Sequence, residues 1–324
     1  MTMDYYNLKW TRWLVPSLAA LLILPAAALP SRSPATPPAS PVSEGERVQY
    51  RPSERVRVVE GIVFARYGKR SLKLDLYMPV KHDGAAPGVI AIRGGGWMVN
   101  DRREFAHVAS ALAERGLVAA SIEYRTADET LYPAAIQDVK AAIRWMRANA
   151  RKYGVSPEAI GVLGGSSGAY MALMAGLTAN DRSLEGAGGH QNISSRVQAV
   201  VAMAAPTDLR SLDAGARRTL VRILRASPEQ NLGLWAQASP AQRVSANGPP
   251  VLLLHSDADE AVSPEQSTRF AELYRQAGAT AQLTLLPRAP HAFWNYQPWF
   301  EQVMEQSAAF FHNIASAAAQ QEKG

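Results

Sequence analysis

From residue 56 onward the apolar positions of the chain change period repeatedly, from alternating to uninterrupted to roughly helical spacing. Segments 56–65 and 72–78 alternate apolar with polar residues, the pattern of a hairpin at the edge of a sheet. Segments 88–93, 117–123, 159–163, 197–203, 250–255 and 281–286 are short apolar runs that suit strands buried on both faces. Between them, helical spacing marks 104–115, 133–153, 167–179, 264–277 and 298–313. In the longest of these, Ile136, Val139, Ile143 and Met146 share one face, and Pro133 suits the first helical position. Strands alternating with helices predict an α/β fold: a mostly parallel sheet of about eight strands, covered by helices on both faces, with its site at the strand carboxyl ends. Two longer interruptions remain. In 180–196 the stretch 186–190 reads as a mobile loop, and 207–247 has helical character at 212–237; either is expected to form at most a small lid.

The loops at those strand ends hold the residues that can do chemistry. Gly164-Gly165-Ser166-Ser167-Gly168 reads as Gly-x-Ser-x-Gly between a buried strand and a helix, which nominates Ser166 as a nucleophile on a sharp turn whose small neighbours avoid a clash. Strand 250–255 leads into His255-Ser256-Asp257-Ala258-Asp259, and strand 281–286 into Pro290-His291-Ala292-Phe293. The chain order Ser166, Asp259, His291 is that of an α/β-hydrolase. Asp257, two residues from Asp259, and Asp208, after another strand, compete as the acid; Asp208 after Thr207 reads more simply as a helix cap. His255 fits a loop-bracing role, and His107 and His312 fall on helices and read as surface residues. Strand 88–93 runs into Gly94-Gly95-Gly96-Trp97, where inward-pointing amides of Gly95 and Gly96, with that of Ser167, are expected to receive an oxyanion. Trp97 and Trp294 are the better candidates among the aromatic residues for contact with a sugar ring. Glu123 and Arg125 read as a buried or half-buried structural pair.

These motifs, together with Glu123-Tyr124-Arg125, Pro133-Ala134-Ala135-Ile136-Gln137-Asp138 and Pro206-Thr207-Asp208-Leu209, make the chain from 56 to 311 resemble one family. It is that of the α/β-hydrolase esterases that include bifunctional acetyl-xylan and feruloyl esterases and related pectin acetylesterases. The resemblance implies an esterase acting on acyl groups, acetyl above all, carried by plant-type polysaccharides such as xylan or pectin, with no metal or organic cofactor. A broader carboxylesterase of small esters shares all of this chemistry, and an inactive carbohydrate-binding member of the fold is the non-enzyme reading. Two departures stand out: Arg93 occupies the place of a family histidine before the three glycines, and Asn100 stands where glycine is usual.

Composition adds an address. Lys9 and Arg12 precede an apolar run at 14–25 that is shorter than the ~20 residues of a membrane span, and Ala26-Ala27-Ala28 follows. Residues 1–28 therefore read as a signal peptide cleaved after Ala28, or as a membrane anchor if left uncleaved. Residues 29–48, rich in proline and serine, read as a linker, and 49–324 as the catalytic domain. The chain has no cysteine, and its net charge of +6 is scattered rather than striped among aromatics, which gives nucleic acid no binding surface. A bacterial periplasmic or extracellular location is expected, with an acylated carbohydrate or small ester as the partner. Nothing in the sequence sets an oligomeric state.

Overall fold

Alternate residues of the central strands feed opposite faces of one sheet. Val89 and Ala91 of β3 (Ala86–Ile92) join one apolar cluster, and Ile90 and Ile92 join the other. The computed structural model describes residues 45–81 and 84–321. The expected signal peptide, most of the expected linker and His82 lie outside the described residues.

Among the described residues eight strands form a single sheet in the order β1-β2-β4-β3-β5-β6-β7-β8. The hairpin of β1 (Val56–Tyr67) and β2 (Arg70–Pro79) is antiparallel and lies at one edge, as the alternating pattern predicted. β2 runs antiparallel to β4 (Val118–Ile122). From β4 through β3, β5 (Val155–Gly165), β6 (Ala199–Met203), β7 (Val251–Ser256) and β8 (Ala281–Leu286), all pairings are parallel. In register, Ile90 faces Ala120 on one side and Val162 on the other.

Helices cover both faces. α1 (Ala106–Glu114) and α8 (Trp299–Gln321) pack in the cluster of Val89, Leu163 and Leu254. α2 (Ala134–Ala148), α4 (Ser167–Leu177) and α7 (Glu265–Gln276) pack in that of Ile90, Val162 and Leu253. The helix expected over 133–153 is interrupted. Asn149 donates its side-chain amide to the Trp145 carbonyl at 2.9 Å, and a short α3 (Ala150–Tyr153) follows, ended by Gly154 in a left-handed conformation. Pro133 precedes α2 rather than opening it.

The two interruptions differ from their expected forms. The guanidinium of Arg144 donates to the carbonyls of Gly189 at 3.0 Å and Glu185 at 2.9 Å, so the 186–190 stretch is tied down onto α2. In 207–247, α5 (Ala214–Leu224) and α6 (Leu232–Gln237) bury Leu220, Leu224 and Trp235. The last residues of the expected linker are also fixed. Arg47 bridges Tyr296, the Val48 amide donates to Asn295 at 2.8 Å, and Val48 packs against the α1/α8 cluster.

α4 can approach β3 only because Gly168 has no side chain: a Cβ there would lie 2.2 Å from the Ile92 carbonyl oxygen and 2.8 Å from that of Arg93. Gly168→Ala is therefore expected to lower stability by about 1–3 kcal/mol. Gly233→Ala, on exposed α6 with ordinary contacts, should instead raise it slightly. Urea unfolding midpoints check the pair, and a Gly168→Ala midpoint equal to or above that of the parent would contradict the close-approach argument.

Candidate active site

Ser166 sits between β5 and α4 with φ 54° and ψ −121°, a backbone region disfavoured for any residue with a side chain and costing ~1–3 kcal/mol. The surrounding contacts hold it there. Its amide donates to the Met203 carbonyl at 2.8 Å. A Cβ on Gly164 would meet the Gly168 carbonyl at 2.3 Å, and one on Gly94 would lie 3.1 Å from the Ser166 Cβ. The strained turn presents the hydroxyl in a cleft of about 320 Å³, lined among others by Gly94, Gly95, Gly96, His291 and Trp294.

The loops after β7 and β8 bring Asp259 and His291 to this serine. His291 Nε2 is 3.0 Å from Ser166 Oγ, and His291 Nδ1 is 2.7 Å from Asp259 Oδ2. A carboxylate only accepts, so Nδ1–H donates to Asp259 and Nε2 is left to accept from the serine hydroxyl. Asp259 Oδ1 accepts from the amides of Ala261 and Val262, each at 2.9 Å. Burial opposes ionisation of Asp259, but hydrogen bonds from His255 and His291, the His291 charge and the Val262 amide outweigh it. They hold the carboxyl well below the usual carboxylate range.

The competing residues are engaged elsewhere. Asp257 is exposed and accepts from the Arg288 amide at 2.7 Å. Asp208 caps the short helical turn that follows it and pairs with Arg210 at 2.7 Å. His255 is fully buried; its Nε2–H donates to the Val262 carbonyl at 2.9 Å, and its Nδ1 accepts from the Ser267 hydroxyl at 2.7 Å. It braces the loop that carries Asp259. His107 and His312 are not surface residues. Each is half-buried and donates from Nε2, His107 to the Trp294 carbonyl at 3.1 Å and His312 to that of Arg115 at 2.8 Å. Burial pushes His107 below the usual imidazole range.

The glycine loop lies beside Ser166. Gly95 (φ 125°) and Gly96 (φ 61°) adopt angles open chiefly to glycine. Among the described residues no acceptor pairs with the amides of Gly95, Gly96 or Ser167, so all three remain available to a developing negative charge. The Ser167 hydroxyl accepts from the Trp97 amide at 3.3 Å and ties loop to helix. Both sequence departures have partners here. Arg93 donates to the Gly94 carbonyl at 3.0 Å and to Glu104 at 2.5 Å, and Asn100 donates to the Tyr124 carbonyl. Sequence reasoning missed Tyr124. It is fully buried, with its hydroxyl 2.8 Å from the Val99 carbonyl and 3.2 Å from that of Arg93, clasping both ends of the loop. Its position at the end of a buried strand, facing a glycine run, was the available signal.

Other assignments change. Trp97 and Trp294 are 7 % and 4 % exposed: Trp97 packs edge-on against Tyr170, and Trp294 fills the space left by Gly165. Neither offers an open face on which a sugar could stack. Arg125 pairs with buried Asp138 at 2.8 Å, and Glu123 pairs with Arg102 at 2.6 Å, so the expected Glu123–Arg125 pair does not form. α5 helps enclose an apolar cavity of about 30 Å³ next to Trp97, Tyr132 and Tyr170, and 207–247 does not line the Ser166 cleft.

A serine on a strained strand–helix turn, hydrogen-bonded to a histidine and through it to a carboxylate delivered from later strand ends of a parallel sheet, is the arrangement of an α/β-hydrolase. The chain belongs to the BD-FAE family, which matches residues 74–274. It is 36% identical over 214 residues to Esterase LipQ of Mycobacterium tuberculosis, covering 64% of this chain and 50% of that protein. It is 32% identical over 241 residues to the probable carboxylic ester hydrolase LipM of the same organism, covering 72% and 55%. The chain thus spans about half the length of these curated relatives. Among solved structures it resembles a truncated carbohydrate esterase from gut microbiota, with TM-score 0.73, 29% identity, and coverage of 82% of this chain and 99% of that one. It also resembles esterase 2 of Thermogutta terrifontis, with TM-score 0.68, 26% identity, and coverage of 81% and 93%. Among the described residues no helix is long and apolar enough to cross a membrane.

The geometry separates the three candidate acids. Asp259→Asn is expected to slow fluorophosphonate labelling of Ser166 by about four powers of ten. Asp208→Asn and Asp257→Asn should leave the labelling rate within about twofold, and a large loss in either would reassign the acid.

Proposed function

We propose that this protein is a serine esterase that removes small acyl groups, acetyl above all, from plant-type polysaccharides, and that it acts outside the cytoplasm. The observation that carries the reading is the continuous hydrogen-bond chain from Ser166 through His291 to Asp259, beside three unpaired amides.

In the reaction, Ser166 Oγ attacks the ester carbonyl carbon while its proton passes to His291 Nε2. The carbonyl oxygen becomes an oxyanion facing the amides of Gly95, Gly96 and Ser167, where each donor is worth about 3–4 kcal/mol in the transition state. Asp259 holds the imidazole in the accepting tautomer and stabilises the imidazolium. The C–O bond to the sugar breaks, and His291 returns the proton to the departing alcohol oxygen. Water, deprotonated by His291, then attacks the acyl-enzyme, and Ser166 leaves with its proton restored.

Carbohydrate as the substrate is supported by the resemblance to the gut-microbiota carbohydrate esterase and by 30% identity to a bifunctional GH43-CE protein of Bacteroides eggerthii, with TM-score 0.72 and coverage of 80% of this chain and 35% of that one. The likeness to LipQ and LipM favours a second reading, a general carboxylesterase of small esters. Export rests on the N-terminal charge and apolar pattern alone.

Acetate release from acetylated xylan and acetylated pectin decides between the readings. Release from a polymer is expected, with Ser166→Ala lowering kcat by about four or more powers of ten; turnover confined to p-nitrophenyl acetate would favour the general carboxylesterase, and a preference for hexanoyl over acetyl esters would argue against a short acyl group. Cleavage after Ala28 should leave Leu29 as the first residue of the protein recovered from periplasm or medium, and an intact Met1 would contradict it.

A further inference from the structure

Donors for an oxyanion are effective only if they are fixed before charge develops, and here they come from two separate pieces of chain. Ser167 opens α4, whereas Gly95 and Gly96 belong to a run of three glycines, the residues with the most backbone freedom to lose. Within the glycine loop the Met98 amide donates to the Gly95 carbonyl at 3.1 Å, and the Ala127 amide donates to that of Trp97 at 2.9 Å. Neither bond reaches α4. The Arg93 side chain is turned to Glu104, which is itself 52% exposed.

Two buried hydroxyls join the loop to the helix. Tyr124 and Ser167 are both buried. The Trp97 amide donates to Ser167 Oγ at 3.3 Å, and Tyr124 Oη lies 2.8 Å from the Val99 carbonyl and 3.2 Å from that of Arg93. The Ser167 side chain also hydrogen-bonds the Tyr124 phenol. Counting donors and acceptors fixes the direction of each bond. A carbonyl oxygen only accepts, so the one phenolic proton goes to Val99 and, over the longer distance, to Arg93. The phenol oxygen is left to accept, and Ser167 Oγ, which already accepts from Trp97, donates its own hydrogen to it. A continuous row of hydrogen bonds therefore runs from the Trp97 amide through Ser167 and Tyr124 to Val99, and it touches the residues on both sides of the three glycines.

Burial pushes the Tyr124 phenol above its ordinary range, so it stays a donor at neutral and mildly alkaline pH. Tyr124 does not line the Ser166 cleft. Its hydroxyl can act only through the loop that it holds.

We propose that the Tyr124 and Ser167 hydroxyls are positioning groups that set the spacing between the two halves of the oxyanion site, the glycine-loop amides and the Ser167 amide. The inference rests on the esterase reading above and deepens it. The two side chains serve the transition state rather than the bound ester, because only the transition state carries the negative charge that the spacing meets.

The test measures kcat and KM for p-nitrophenyl acetate in the full chain, in Ser167→Ala, in Tyr124→Phe and in the double variant. Ser167→Ala removes one oxygen and leaves the backbone amide in place. Each single variant is expected to lower kcat and kcat/KM together, by about ten- to a hundredfold. The double variant should fall no more than about threefold below the weaker single one, because both substitutions cut the same row of bonds, whereas independent roles would multiply. A second readout follows the oxyanion directly. Ser166 Oγ adds to the carbonyl carbon of phenyl trifluoromethyl ketone, its proton passes to His291, and the carbonyl oxygen becomes a lasting oxyanion. The inhibition constant of the ketone should rise in both variants by about the factor lost from kcat, whereas that of the corresponding carbinol, which forms no oxyanion, should stay within about twofold. Parental kcat in Ser167→Ala, losses confined to KM, multiplied losses in the double variant, or equal weakening of ketone and carbinol each overturn the positioning role. Should Tyr124→Phe fail to fold, Ser167→Ala and the two inhibitors decide by themselves. Normal turnover in the parent with an inert Ser167→Ala defeats this inference alone, whereas a parent without Ser166-dependent turnover defeats the esterase reading as well.

Discussion

The close approach between the end of β3 and the start of α4 is the constraint on which the site depends. Gly168 lies against the Ile92 and Arg93 carbonyls, Gly164 against Gly168, and Gly94 against Gly165 and Ser166. Only hydrogen atoms fit at these three positions. The packing forces the chain through a turn that leaves Ser166 at φ 54°, and the parallel sheet on either side keeps that turn from relaxing. The strain costs ~1–3 kcal/mol, small beside the burial of two apolar layers around the sheet. In return, the hydroxyl lines the cleft, while the Ser167 amide, at the start of α4, has no hydrogen-bond acceptor among the described residues.

A carboxylate and a histidine reach that turn because parallel strands release their loops at a common edge. β7 and β8 place Asp259 and His291 there, and a second tier of hydrogen bonds sets their orientation. Two amides and His255 fix the carboxylate, Ser267 fixes His255, and His107 holds the Trp294 carbonyl just past His291. Buried groups with fixed partners need no rearrangement as charge develops, which is the physical basis of preorganisation. On the opposite wall, Arg93 and Asn100, both departures from the family pattern, have taken over the bracing of the glycine loop alongside Tyr124.

The periods along the chain made the element order legible, and the short motifs at strand ends marked Ser166, Asp259, His291 and the glycine loop. Local pattern was sufficient for these because a buried parallel strand is apolar throughout and the loop after it follows directly in sequence. Residues whose partners are distant in sequence were read poorly. Nothing local to His107 announces that Trp294 will lie beside it, or that Arg125 will choose Asp138 over Glu123. Trp97 and Trp294 looked available to a sugar because their neighbours Tyr170 and Gly165 come from another strand and helix.

The N-terminal boundary follows the same logic. A Pro/Ser-rich composition reads as a segment that cannot bury a core of its own, and it says nothing about whether the last few residues will pair with another loop, as Arg47 and Val48 do with Tyr296 and Asn295. The amino-acid sequence by itself determined the α/β alternation, the chain order of serine, acid and histidine, and the glycines that make the sharp turn possible, because each depends on spacing along one stretch of chain. Only the tertiary structure decided which carboxylate meets His291, what replaces the missing histidine of the glycine loop, and which hydroxyls tie that loop to α4. Those are contacts between segments brought together by the sheet, and their distances follow from packing rather than from sequence separation.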